Sequence, residues 1–142
     1  MKAEVFLDAA YAIALSVPKD SYHSQAVALS NELEAFRTRM VTTRAVILEI
    51  GNALSKQRYR QAAIELLKAL EADPNVLVIP LSEDLYTQAF RLYSERPDKE
   101  WGLTDCISFV VMQSREMTEA LTADDHFQQA GFRALLLEDT RV

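Results

Sequence analysis

Hydrophobic and polar positions change period repeatedly along this chain, and each change marks a new short element. Residues 3–8 (AEVFLD) form a brief β-like run that ends in an acid. Residues 9–17 are apolar at nearly every position and predict a short helix, closed by Pro18. Asp20 or Ser21 is placed to cap a helix running to about Arg37, with Tyr22, Ala26, Leu29, Leu33 and Phe36 spaced as one apolar stripe. Residues 39–43 (RMVTT) are β-like. Thr43 then opens a helix to about Lys56, and another runs from about Arg60 to Ala72. Asp73-Pro74-Asn75 is a turn, and residues 76–80 are the best strand signal in the chain, β-branched and uninterrupted. Ser82 caps the next helix, with Glu83 and Asp84 in its positive first turn, to about Glu95.

Residues 96–102 (RPDKEWG) read as a polar loop. Residues 103–114 are apolar on nearly every side after Asp105 and predict a buried helix. A short strand at 119–122, one helical turn at 125–129 closed by Gly131, and a last strand at 134–137 complete the pattern. Strands alternate with helices, which argues for an α/β fold on a mostly parallel sheet. Ligands then bind beyond the carboxyl ends of the strands.

Composition narrows this picture. Glycine and proline together are 7 of 142 residues, too few for the many turns of a sandwich or barrel. A length of 142 residues fits one domain, and 49% apolar with 25% charged residues excludes intrinsic disorder. One cysteine cannot form an internal disulfide. No leader-like start and no apolar run of about 18 residues is present, so the expected location is the cytoplasm, without a membrane partner. The net charge of −6 disfavours nucleic-acid binding in general. The distribution alters that: between Arg37 and Lys68 seven basic residues face two acids, a local +5 on a body of −11. Such a strip is either a solvated helical face or a landing surface for phosphates.

Four acids carry the candidate chemistry. Asp8 ends the first strand, Glu49 interrupts the apolar run Ala45-Val46-Ile47-Leu48, Asp105 opens the buried helix, and Asp124 follows a strand end. Helix-surface acids usually have a basic neighbour three or four positions away, as Glu65 has Lys68; these four have none. Asp8, Asp105 (behind Thr104) and Asp124 also have an ordinary explanation as helix caps, and Glu49 could turn to a solvent edge beside Asn52. Several carboxylates in one cleft call for a cation, and hard Mg²⁺ or Mn²⁺ suits oxygen donors. One cysteine and two histidines at unrelated spacings argue against zinc. His23 and His126 read as surface or cap residues and Cys106 as a small core residue. Asn52, Thr104 and Thr122 are placed to orient the carboxylates by hydrogen bonds, and Asp125 to assist or replace Asp124.

The stretches Val5-Phe6-Leu7-Asp8, Glu49-Ile50-Gly51-Asn52-Ala53-Leu54, Leu103-Thr104-Asp105-Cys106-Ile107-Ser108 and Leu121-Thr122-Ala123-Asp124 with Phe127 and Gly131, in this order, resemble the PIN-domain family. Within it they are similar to the small VapC-like toxin ribonucleases. The resemblance spans essentially the whole chain. It implies a single PIN-like domain over residues 1–142, about five short strands with helices on both faces, and an acidic Mg²⁺ or Mn²⁺ pocket that cuts RNA. It places the family's four acids on Asp8, Glu49, Asp105 and Asp124. It further implies a small antitoxin partner and a homodimer. The Thr or Ser often found after the first acid is Ala9 here, which removes a hydroxyl from that position.

The expected activity is therefore that of a metal-dependent endoribonuclease, the toxin of a toxin–antitoxin pair. Arg44, Lys56, Arg58 and Arg60 are expected to hold the RNA backbone, with Arg44 nearest the cut. The rival is a non-catalytic α/β binding module with a degenerate acidic pocket. A receiver-like domain would need a lysine after a late strand, where Glu138 and Asp139 stand instead. A haloacid-dehalogenase-like phosphatase would need Asp-x-Asp where Asp8-Ala9-Ala10 stands.

Overall fold

The computed structural model describes residues 3–138, so the outer ends of the expected 1–142 domain and Asp139 lie outside the described residues. Its strands are β1 (Glu4–Leu7), β2 (Arg39–Thr43), β3 (Val76–Ile79), β4 (Glu119–Leu121) and β5 (Arg133–Ala134). Its helices are α1 (Ala9–Ser16), α2 (His23–Ala35), α3 (Arg44–Ala53), α4 (Gln57–Ala72), α5 (Glu83–Glu95), α6 (Leu103–Ser114) and α7 (Asp125–Gln129). The strands form one sheet in the order β3-β2-β1-β4-β5, and every pairing among the described residues is parallel.

This order sets the layers. The chain steps from β1 to β2 to β3 in one direction, then crosses back to β4 and β5. Right-handed crossovers put α1 to α4 on one face and α5 to α7 on the other. The direction reverses between β1 and β4, which opens a crevice at their carboxyl ends.

β1 is central and fully covered: Val5 and Phe6 are buried on opposite faces. A seam of rings crosses the core beneath the crevice. Phe109 of α6 meets Trp101 at 5.0 Å and Phe127 of α7 at 4.9 Å, both edge to face, and Phe127 reaches Phe6 of β1 at 6.2 Å. Cys106 is buried as expected. His23 donates from Nδ1 to the Ala14 carbonyl at 2.8 Å, tying α2 to α1.

Ser82 caps α5 as its position predicts, accepting from the Leu85 N–H at 3.1 Å, and Thr43 caps α3 by accepting from Val46 at 3.2 Å. Other boundaries differ. Asp20 accepts from the Tyr22 N–H in a turn before α2, whose own first residue is His23 without a side-chain cap. Phe36 follows the end of α2 and is 67% exposed, outside the stripe that Ala26, Leu29 and Leu33 bury. α3 stops at Ala53 rather than Lys56, and α4 starts at Gln57 rather than Arg60. The strongest strand signal, β3, lies at the sheet edge and is only half-buried. The last strand is two residues long: β4 has little edge left to pair, so Leu135–Leu137 curl into a 3₁₀ turn instead.

Candidate active site

Asp8 is the first residue past β1, and both neighbouring strands hold its backbone. The Thr42 hydroxyl of β2 donates to the Leu7 carbonyl at 2.7 Å, and the Asp8 N–H donates to the Leu121 carbonyl of β4 at 3.3 Å. Its buried carboxylate accepts a hydrogen bond from the Thr122 hydroxyl at 2.7 Å. The same hydroxyl oxygen accepts from the Asp124 N–H at 3.1 Å. Thr122 thus links Asp8 and Asp124 through one hydroxyl. Asp8 occupies the N-cap position of α1, but its side chain makes no capping hydrogen bond there.

Asp105 and Asp124 each accept from a backbone N–H at a helix start and stand close together. Asp105 Oδ2 accepts from the Gly102 N–H at 3.1 Å, so the cap of α6 is Gly102 rather than Thr104. Asp124 Oδ1 accepts from the His126 N–H at 2.9 Å and caps α7. Between them stands His126, whose Nδ1 lies 3.0 Å from Asp105 Oδ2 and 3.4 Å from Asp124 Oδ1. Among the described residues, donor atoms of Asp105, Asp124 and His126 lie within 4.8 Å of one another, close enough to share one ion. In the sequence His126 reads as a surface or cap residue; the fold sets it beside both acids. It is two positions after Asp124, but its other partner is 21 positions away.

Glu49 is exposed rather than set in an apolar face, because α3 turns it to the rim of a cleft of about 470 Å³. Asn52 and Thr104 line the same cleft; the hydroxyl of Ser108 donates to the Thr104 carbonyl at 3.1 Å. Asp125 is exposed beside His126 and lies outside the three-residue group.

The basic candidates lie along the start of α3 and the α3–α4 junction, and all are exposed. Arg44 is ion-paired with Glu71 at the end of α4, which competes with any role at the phosphate. Arg58 lies over the Tyr59 ring at 4.8 Å. Arg60 donates to the Ser55 carbonyl at 2.7 Å, and Lys56 caps α4 with extended backbone.

The electrostatics of the crevice are those of uncompensated carboxylates. Burial pushes Asp8 up to about 6; the charges of Asp105 and Asp124 add to it, while the Thr122 hydroxyl and Ala9 N–H oppose it. Glu49 is open on one side and crowded on the other. Partial desolvation, then the charges of Asp8, Asp105 and Asp124, push it up to about 7. Asp105 is raised by burial, against the His126 hydrogen bond. Desolvation lowers His126, but it is raised overall by its hydrogen bond to the Asp105 carboxylate and the charges of Asp124, Asp105 and Asp125. Among the described residues, no lysine or arginine forms an ion pair with any of the four acids.

With the geometry in place, comparison with known proteins decides the family. The model of the PIN domain matches residues 5–133. The chain belongs to the PIN-domain family. It is similar to the 23S rRNA-specific endonuclease VapC20 of Mycobacterium tuberculosis, in both strain CDC 1551 / Oshkosh and strain H37Rv. Each is 27% identical over 128 residues, covering 90% of this chain and 95% of the relative. The crystal structure of M. tuberculosis VapC20, described as a sarcin–ricin loop cleaving toxin, superposes with a TM-score of 0.79 at 26% identity. It covers 90% of this chain and 95% of that one. The α/β architecture expected of the PIN family is therefore present, with a wholly parallel five-stranded sheet.

The raised carboxyls fix the pH response of the metal-free protein. Asp8 holds its proton up to about 6 when folded and to 3.8 when not, so the folded state binds more protons in that window. Its contribution to stability therefore falls as pH rises through that window; for Asp8 the shift corresponds to about 3 kcal/mol. Glu49 and His126 act in the same direction. Asp8→Asn keeps an acceptor for Thr122 and removes the charge. In excess chelator it is expected to raise the melting temperature by several degrees, on the order of 2–8 °C, near pH 8. Near pH 4 it should change little, and added Mg²⁺ or Mn²⁺ should stabilise wild type more than the variant. A lower melting temperature for the variant near pH 8 would make Asp8 a structural carboxylate.

Proposed function

We propose that this chain is the toxin of a toxin–antitoxin pair, a single-domain cytoplasmic endoribonuclease that requires Mg²⁺ or Mn²⁺. The observation that carries the reading is the buried Asp8 carboxylate, held by Thr122 beside Asp105 and Asp124 with no lysine or arginine among the described residues paired to them. Asp8, Asp105 and Asp124 would hold the ion, with Glu49 at the rim. When bound, a divalent ion supplies charge stabilisation to a phosphate attacked in line and makes water a better nucleophile. Thr122 fixes the direction of Asp8, and the Gly102 N–H fixes Asp105. Glu49, pushed up to about 7 and open to solvent, is suited to take the proton of the attacking water at its carboxylate. Lys56, Arg58 and Arg60, with Arg44 once released from Glu71, would hold the RNA backbone where the acids repel it. The likeness to VapC20 makes a structured ribosomal RNA loop the first substrate to test.

Asp8→Asn and Asp105→Asn are each expected to abolish cleavage of total RNA, followed by 5′-end sequencing, with circular dichroism unchanged. Lys56→Glu with Arg58→Glu should instead weaken RNA binding and reduce its salt dependence by about 0.7–0.9 per lost phosphate contact. Cleavage retained by either Asn variant in Mg²⁺, or wild-type cleavage unaffected by chelator, contradicts the reading in favour of a silent binding module. An unchanged salt slope would place the RNA elsewhere.

We further propose that the protein forms a homodimer through α5. Tyr86, Phe90 and Tyr93 stand 44%, 50% and 47% exposed in one row, with ring centres 6.2 and 6.3 Å apart. Exposed Leu81 and Leu48 continue the row toward Glu49. Light scattering is expected to give a dimer for wild type and a monomer for Phe90→Glu; equal masses would place the interface elsewhere.

An antitoxin partner is supported by a groove of about 620 Å³ between α1, α2 and α4, floored by Leu15, Leu33, Met40 and Leu66 with Glu34 and Arg37 at its edge. Co-expression with the product of an adjacent small reading frame is expected to give a complex that no longer cleaves RNA. Leu66→Glu should weaken that complex without weakening cleavage; a complex of unchanged strength would exclude this groove.

A further inference from the structure

The four-acid reading leaves one donor of the crevice without a role. His126 sits in the first turn of α7, with its N–H held by Asp124 and its ring between Asp124 and Asp105. We propose that His126 Nδ1 is itself a ligand of the ion, and that this nitrogen makes the site prefer Mn²⁺ to Mg²⁺. The proposal rests on the metal-dependent reading above and adds the residue that sets which ion is taken.

The separations suit it. An ion with bonds of about 2.1 Å places neighbouring donors about 3.0 Å apart and opposite donors about 4.2 Å apart. His126 Nδ1 is 3.0 Å from Asp105 Oδ2 and 3.4 Å from Asp124 Oδ1, and the three donor atoms all lie within 4.8 Å. Three donors on one ion need only small side-chain adjustments from these positions. The neutral ring with its hydrogen on Nε2 presents the Nδ1 lone pair.

The support around the ring is that of a fixed ligand. Phe127, the next residue, is buried and packed edge to face on Phe109, which leaves α7 little freedom to swing. Asp124 orients the His126 backbone, so one residue contributes both a carboxylate and the placement of the nitrogen. The His126 side chain is 26% exposed, so an ion from solvent can reach the ring.

The preference follows from donor chemistry. Oxygen donors alone serve Mg²⁺ and Mn²⁺ alike. Mg²⁺ keeps its waters and oxygen donors, whereas first-row transition ions accept imidazole nitrogen readily. A nitrogen added to the carboxylates on one ion therefore tilts the site away from Mg²⁺.

Pulsed electron paramagnetic resonance on Mn²⁺-loaded wild-type protein tests this without any substitution: a nitrogen coupling of a directly bound imidazole is expected. Mn²⁺ and Mg²⁺ affinities by calorimetry provide the second readout. His126→Asn keeps an N–H donor near Asp105 but offers no comparable ligand. It should lose the coupling and weaken Mn²⁺ on the order of tenfold or more, with Mg²⁺ little changed, so that the Mn²⁺ preference collapses. Mn²⁺ bound to wild type without nitrogen coupling would overturn the proposal while leaving the acid site intact, as would an unchanged preference in His126→Asn. No Mn²⁺ binding to wild type would overturn both the acid site and this proposal.

Discussion

Carboxylates drawn together out of water repel one another, and the carboxyl ends of β1 and β4 bring Asp8 and Asp124 together here. Two such charges about 4 Å apart cost roughly 4 kcal/mol at an effective dielectric of 20. Burial first, and that repulsion second, keep Asp8 and Glu49 protonated toward neutrality. The repulsion that remains is carried by the scaffold. Thr42 and Leu121 fix the backbone at Asp8, and Thr122 joins Asp8 to Asp124 through a single hydroxyl.

Rigidity reaches this crevice from below. Asp105 is on α6, Asp124 and His126 are at α7, and Asp8 is at the end of β1. The ring seam Trp101–Phe109–Phe127–Phe6 links the loop before α6 to all three elements. The Trp101 indole N–H donates to Gln129 at 3.1 Å, closing α7 against that loop. A displacement of any one element would have to break edge-to-face packing as well as separate the acids. The site is therefore preorganised by apolar contacts that never touch it.

Most of the architecture was legible because local signals agreed with one another. Residues 39–43 carry β-branched residues followed by a Thr cap, and β2 occupies those positions. Ser82 with two following acids marks the start of α5. Where the sequence misled, a distant partner decided. The apolar run at Leu135–Leu137 reads as strand, yet β4 spans only Glu119–Leu121 and has no edge left for it. Arg44, expected at the RNA backbone, also pairs with Glu71, 27 positions on, a contact that no local pattern shows. In the site, the acids stood out because they lacked basic neighbours along the chain. His126 did not, since an isolated histidine two residues after an acid has no periodicity, and only the fold brings it to Asp105. Glu49 interrupts an apolar run in the sequence, yet α3 turns it to a solvent rim beside Asn52, the ordinary alternative to an apolar setting.

The central claim is that this acidic crevice is a divalent-ion site. The most direct measurement is anomalous diffraction at the manganese edge from a crystal of the wild-type protein grown with Mn²⁺. A peak within bonding distance of carboxylate oxygens of Asp8, Asp105 or Asp124 is the result expected. A well-ordered crevice without such a peak at millimolar Mn²⁺, or a peak only elsewhere on the molecule, would contradict it.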